Sequence, residues 1–280
     1  MIRLQQLSVQ YGHRTILHPM DLELEAGELV VIVGRNGAGK STLLKAIAGD
    51  LIAQSSGEVR FHNRLIQDWS IGELAKYKGQ LAQANSMAFA LTVREIVQMG
   101  RYPFRQEEDV ATQRRWVEQA LRLCEIEPFA DRNIQSLSGG EQQRVHFARV
   151  LGQVSWSSTD QARMLLLDEP LNNLDITWQL KMMELARKFT DSGHLCLCIL
   201  HDLNIAAAFA DRIILLHEGH CHGYGPPREV LEATRLEAIY EVPVQVASIP
   251  NRDYPAILMG PKKSASNFSN SQNQRHALLP

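Results

Sequence analysis

The chain has 280 residues, 45% of them hydrophobic, with a formal net charge of −2 and a pI of ≈ 6.6. That length fits one large domain or a domain with a substantial insertion, and the near-neutral balance excludes the basic footprint of a protein whose main partner is DNA or RNA. No apolar run approaches the ~18 residues a membrane helix needs and no signal peptide is indicated, so the chain is expected not to cross a bilayer by itself while remaining able to dock on a protein that does.

In chain order, Ile2, Leu4 and Leu7 begin a strand, and Leu22 and Leu24 alternate in a second. The run Leu29-Val30-Val31-Ile32-Val33 reads as a buried strand, and Thr42 to Ala48 reads as a helix. Between them, Gly34-Arg35-Asn36-Gly37-Ala38-Gly39-Lys40-Ser41 fits the phosphate-loop pattern G-x-x-x-x-G-K-S/T in the strand–loop–helix context it requires. Glycines there let consecutive N–H groups turn inward toward a phosphate, and the helix start adds partial positive charge. Lys40 is placed to reach β- and γ-phosphates, and the Ser41 hydroxyl to meet Mg²⁺. Val59 and Phe61 lie in a further strand after an expected turn at Ser55-Ser56-Gly57.

Residues ~85 to 152 change character. Glu, Gln and Arg become dense, and Trp116, Ala120, Leu121, Leu123 and Cys124 recur on one helical face, which predicts a mainly helical insertion. Near its end, Leu137-Ser138-Gly139-Gly140-Glu141 opens a helix with the same physics as the first loop: free amides, a dipole end and a hydroxyl that suit an anion. Read alone, the segment is equally a capping box, with Ser138 as N-cap and Glu141 closing it.

Strand-like runs then return at Met164 to Leu167, Leu195 to Leu200 and Ile213 to Leu216, separated by helical stretches around Gln179 to Phe189 and Ile205 to Ala210. This alternation predicts a mostly parallel sheet covered on both faces. The first of these runs ends in Asp168-Glu169, where ligands of such sheets sit; Asp168 suits a Mg²⁺ ligand and Glu169 a base that polarises a water. His201 follows the next run and so also stands at a strand end. The four cysteines, Cys124, Cys196, Cys198 and Cys221, show neither zinc nor disulfide spacing, and Cys196 and Cys198 read as thiols on one side of a buried strand. His217, His220, Cys221 and His222 surround an expected hairpin turn; alternation is expected to send them to different faces, against a metal or heme site. The tail from Lys262 to Pro280 is rich in Ser, Asn and Gln and is expected to be disordered.

Taken together, the two glycine loops and the acidic strand end resemble the ATP-binding subunit of an ATP-binding-cassette (ABC) transporter. The resemblance covers roughly residues 2 to 245, and Leu137 to Glu141 matches that family's signature. It implies an α/β fold: a RecA-like P-loop NTPase core with a mostly parallel sheet, an N-terminal antiparallel β region and an inserted helical subdomain at about 85–152. Residues 246–260 then form a C-terminal extension and 261–280 the tail. It implies ATP and Mg²⁺ as ligands and a head-to-tail homodimer. Each ATP would lie between Gly34 to Thr42 of one copy and Ser138, Gly139 and Gly140 of the other. His201, within Leu200-His201-Asp202-Leu203-Asn204, aligns with the switch histidine that contacts the γ-phosphate and orients Glu169. Asp175, in Asn172-Asn173-Leu174-Asp175, aligns with the loop that couples the two sites, although two asparagines stand where the family more often has Ser-Ala. Gln83, with Gln80 as a rival, aligns with the glutamine that touches Mg²⁺ and water, and Tyr11 with the aromatic that stacks on adenine.

Three features are similar to importers of iron complexes, heme and cobalamin: Leu200 to Arg212, the segment Ser86 to Arg101, and a polar insert at Gln153 to Arg163. The second is most like hemin-importer ATPases, so hemin is the first expectation, with ferric siderophore or cobalamin behind it. The resemblance further implies transmembrane permease subunits, docked against Ala84 to Phe104, and through them a periplasmic or surface substrate-binding protein. The place implied is the cytoplasmic face of the inner membrane, with no nucleic acid as partner. A soluble cassette ATPase of DNA repair or translation usually carries two cassettes or a long coiled coil, and a regulator without turnover would not need Glu169 and His201.

Overall fold

A computed structural model describes residues 1–82, 90–155 and 161–260. Gln83, Met87 and Phe89, part of the polar insert and the tail from 261 onward lie outside the described residues.

The first layer is antiparallel: β1 (Ile2–Tyr11) sits between β2 (Arg14–Leu24) and β4 (Ser55–Phe61), with the short β5 (Arg64–Leu65) at the edge. The turn expected at Ser55 to Gly57 is instead part of β4. The register slips between Gln5 and Ser8, Gln6 takes φ 47°, and Gly57 takes φ +82°. A Cβ on Gly57 would strike the Gln5 and Gln6 carbonyls, so its glycine serves a bulge within a pair, not a chain reversal.

The central sheet has the order β10–β9–β3–β8–β7–β6, where β3 is Leu29–Val33, β6 Lys78–Leu81, β7 Met164–Asp168, β8 Leu195–Ile199, β9 Arg212–His217 and β10 His220–Gly225. Only β10 runs antiparallel. β3, β7 and β8 are buried along their whole length, as continuous apolar runs require when both faces are covered. Alternate residues serve two cores. Val30, Ile32, Leu195, Leu197 and Ile199 pack with α1 (Lys40–Ile47) and the antiparallel sheet. Val31, Val33, Cys196 and Cys198 pack with the helices of the other face, so the two thiols do share one side.

Those helices follow α2 (Ile71–Leu74) and are α3 (Val93–Met99), α4 (Val110–Leu123), α5 (Gly139–Val154), α6 (Ile176–Asp191), α7 (Leu203–Phe209), α8 (Pro227–Val230) and α9 (Ala233–Tyr240). Thr92, Asp109, Ser138 and Asp175 cap α3, α4, α5 and α6 through side-chain oxygens. In α4 the buried stripe is Val117, Ala120, Leu121 and then Cys124; Trp116 and Leu123 flank it half-buried. A last hairpin, β11 (Val244–Ser248) with β12 (Pro255–Met259), contributes Val244 and Ile257 to the core.

The histidines about the β9–β10 turn correct the expectation of scattered faces. His217 pairs directly across from His220, the His222 ring lies 5.5 Å from that of His217 and 6.3 Å from that of His220 across a bulge, and Cys221 turns to the opposite core. Cross-strand partners share a face, which alternation along one strand does not reveal. His220 stacks on His18 of β2 at 3.8 Å. Among the described residues no group of three His, Cys, Asp or Glu is arranged to hold a metal.

Candidate nucleotide-binding and catalytic site

The Gly34–Ser41 loop leaves β3 at the C-terminal edge of the parallel sheet and feeds α1. Two of its glycines are fixed by close approach. Gly34 has φ +149°, and a Cβ there would run into the Leu216 carbonyl of β9; Gly39 has φ +98°, and a Cβ would lie 2.7 Å from Leu17 Cδ2. The loop is therefore wedged between β9 and the antiparallel layer, and it borders a cleft of about 490 Å³. That cleft is lined by Asn36, Gly37, Gly39, Lys40, Ser41 and Thr42, with Glu169 and His201 opposite. Arg35 and Ala38 line a second depression on the far side of the loop, with His217 and Glu218.

Lys40 is 6% exposed and curls back over its own loop, donating to the carbonyls of Gly34 at 2.8 Å and Arg35 at 3.0 Å. Burial lowers its proton affinity, while the charges of Glu169 and Asp168 push the other way. The ammonium is thus held under-solvated beside two acids, ready to exchange carbonyl partners for phosphate oxygens.

Asp168 ends β7, 4% exposed, and its Oδ1 accepts from Ser41 Oγ at 3.0 Å. Burial raises its carboxyl above the usual range and Glu169 adds to that, against the Ser41 hydrogen bond and two lysines. A buried carboxylate beside a hydroxyl is an oxygen donor pair suited to a hard divalent cation such as Mg²⁺.

Glu169 follows with φ 50°, an unusual left-handed conformation for this residue, and strain of this sort gathers at functional sites. The turn aims its carboxylate back at the loop: Oε1 lies 2.8 Å from His201 Nε2, and Oε2 accepts from Asn172 Nδ2 at 2.8 Å. Burial works to raise its pKa, but the hydrogen bonds from His201 and Asn172 outweigh it and leave the carboxyl below its ordinary value. Glu169 is consequently ionised at neutral pH and available as a base. His201 comes from the end of β8, with 44% of its side chain exposed to the cleft side.

The remaining sequence candidates are placed as follows. Ser138 is the N-cap of α5 and closes a reciprocal box with Glu141, whose Oε2 accepts from Ser138 N at 2.8 Å and Oγ at 2.7 Å. The capping reading is therefore realised. Ser138 and Gly139 lie exposed and outside the cleft of their own chain, so within one copy the two glycine loops are not brought together. Gly140 packs under Asn173, where a Cβ would meet the Asn173 carbonyl at 2.8 Å. Asp175 caps α6, accepting from Trp178 N at 2.9 Å. Tyr11, 47% exposed at the end of β1, is absent from the cleft lining; its cross-strand partner Arg14 and nearby Ile16 line it instead.

Arg14, Ile16 and Asn172 were not singled out by sequence reasoning. Asn172 had a signal, since it stands in the pair that departs from Ser-Ala; Arg14 had only its position opposite Tyr11 across a tight turn. In the segment read as permease-facing, Met99 and Tyr102 are exposed, whereas Phe104 is buried under the Arg101 guanidinium.

Comparison with known proteins agrees with this geometry. The family model described as ABC transporter matches residues 17–172. The chain is 39% identical to the hemin import ATP-binding protein HmuV of Pseudomonas putida, over 92% of this chain and 99% of that protein. It is 42% identical to the protein of the same name from Streptomyces coelicolor, over 92% and 89%. Among solved structures, it superposes with a TM-score of 0.70 on a dimeric ATP-binding cassette in a post-hydrolysis state bound to ADP and Pi, 29% identical, covering 81% of this chain and 98% of that one.

Proposed function

This chain belongs to the ABC transporter family as an ATP-hydrolysing subunit, and we propose that it powers inward transport of hemin as the peripheral ATPase of a membrane importer. The likeness to two hemin import proteins along nearly their whole length supports the cargo. No helix among the described residues is long and apolar enough to span a membrane. Permease subunits would supply the path, and the exposed Met99 and Tyr102 lie in the segment expected to meet them.

The observation that carries the chemistry is the Glu169–His201 pair facing the phosphate loop across one cleft. ATP enters with its phosphates on the loop amides, and Lys40 leaves the Gly34 and Arg35 carbonyls for them. Ser41 and Asp168 would hold Mg²⁺. That ion, when bound, neutralises charge developing on the phosphates. Glu169 accepts a proton from the attacking water, and His201 keeps its carboxylate aimed at the γ-phosphate. Ser138, Gly139 and Gly140 of a second copy would close the cleft from the open side, because each copy leaves Ser138 and Gly139 solvent-facing. The cytoplasmic face of the membrane is the place for such a subunit.

Co-expression with the permease subunits and reconstitution into vesicles tests the reading. ATP-dependent accumulation of hemin, with little of a ferric siderophore or cobalamin, is expected. Accumulation of either alternative without hemin would overturn the cargo while leaving the ATPase intact.

A further inference from the structure

Beyond β10 the chain does not drift away from the site but returns to it twice. The first return is at the C-terminal end of α9. Arg35 of the phosphate loop forms an ion pair with Glu241 at 2.7 Å and reaches the Ile239 carbonyl. Tyr240, between them, is half-buried; burial pushes its phenol up to about 12, against a hydrogen bond from the Gly34 backbone. The second return is at β12, on the other side of the cleft. Asn204, three residues after His201, donates from Nδ2 to the Ile257 carbonyl at 3.1 Å and accepts the Ile257 N–H on Oδ1 at 2.8 Å.

That two-point contact copies one rung of a strand ladder. Ile257 pairs with Val246 across the β11–β12 hairpin. Its outward amide and carbonyl are those of an edge strand, and the Asn204 carboxamide satisfies both. The rest of α7 is pinned by its own chemistry. Asp202 caps it, accepting from Asn204 N at 2.7 Å and Ile205 N at 3.0 Å, and Leu203, Ile205, Ala206 and Ala207 are buried beneath it. His201 leads into that cap, exposed, with its Nε2 2.8 Å from Glu169 Oε1. Its position is therefore set by where α7 starts, and the outer face of α7 is held by β12.

We propose that residues 239–257 form a brace joining the two walls of the nucleotide cleft, with Asn204 as the positioning residue for His201 and the Arg35–Glu241 pair as its other foot. The inference rests on the switch role proposed above for His201. The two feet act on different steps. Asn204 governs the wall that orients Glu169 and water, so its loss lowers kcat. Glu241 steadies the phosphate loop, so its loss raises the KM for ATP.

The test uses the full chain and steady-state ATP hydrolysis, with nucleotide affinity measured separately by equilibrium binding. Asn204→Leu, which keeps the branching at Cγ and removes both hydrogen bonds, is expected to lower kcat about fivefold to tenfold while KM and ATP affinity change by less than about twofold. Asn204→Asp retains the acceptor for the Ile257 amide and is expected to fall between Leu and the parent chain. Glu241→Gln is expected to raise KM about threefold with kcat unchanged. Equal kcat in Asn204→Leu and the parent chain would overturn the brace, as would losses divided equally between kcat and KM in both variants. His201→Ala in the same assay separates the two levels. If it is slow while Asn204→Leu is not, the brace alone fails; if it turns over normally, the switch role fails and takes the brace with it.

Discussion

Gly34–Ser41 and Ser138–Gly140 both place a glycine-bearing loop at the start of a helix, yet they are finished in different ways. The first is wedged at its two ends, Gly34 against Leu216 and Gly39 against Leu17, with Lys40 folded over its own carbonyls. The second is exposed, and its hydroxyl and first amide are satisfied by Glu141 alone. The first loop faces Glu169 and His201 across a cleft of its own chain, whereas Ser138 and Gly139 do not line that cleft. Both loops open a helix, but Gly39 does so in the left-handed region with no side-chain cap and Ser138 in an extended conformation with a capping box, and their surroundings differ as well.

The contrast is broken most severely at the finished loop. Lys40→Ala removes the one ammonium in the cradle and is expected to lower kcat/KM about 10³-fold, read from steady-state ATP hydrolysis. Near-normal hydrolysis would reject the cradle. Next, Glu169→Gln keeps the shape and the His201 contact but removes the base; kcat is expected to fall about 10²–10³-fold with ATP still bound tightly in a filter-binding assay.

At the open loop, Ser138→Asn sharpens the comparison, because asparagine keeps both an acceptor for the Glu141 amide and a donor for its carboxylate. The melting temperature should hold within about 2 °C while hydrolysis falls at least about tenfold, since the larger side chain displaces the hydroxyl from the triphosphate. Unchanged hydrolysis would reduce this loop to a helix cap.

The smallest effect concerns the acid beside the cradle. The folded chain holds the Asp168 proton to higher pH than the unfolded chain does, through burial first and the neighbouring Glu169 second. Stability therefore falls as pH rises from the ordinary carboxylate range through the raised folded value, and the whole penalty is present at neutral pH. Asp168→Asn should raise the melting temperature of the nucleotide-free chain at pH 7, with no gain at the acid end of the scale. A loss at pH 7 would mean the Ser41 hydrogen bond outweighs burial.

Much of this site was legible in the sequence because its parts are contiguous. Gly34 to Ser41, Asp168-Glu169 and His201 each stand directly after an apolar run, and apolar runs report strands well. The capping box at Ser138 was equally legible, being four residues long. What escaped depended on pairing between distant segments. The bulge that absorbs Gly57 exists only against Gln5 and Gln6, the clustering of His217, His220 and His222 only once β9 and β10 are in register, and the cleft position of Arg14 only once β2 lies beside the loop. Asn204 was noted for its neighbours' resemblance, but its contact is with a strand 53 residues away, which no local pattern encodes.

The central claim is that one ATP is shared by the finished loop of one copy and the open loop of another. A structure of the Glu169→Gln chain with ATP and Mg²⁺ tests it directly. The account predicts a two-copy assembly in which Ser138 Oγ lies within about 2.5–3.0 Å of a γ-phosphate oxygen held by the other copy's Lys40. Nucleotide bound at the Gly34–Ser41 loop with every Ser138 remote from every γ-phosphate, in an assembly whose parent chain still hydrolyses ATP, would contradict it.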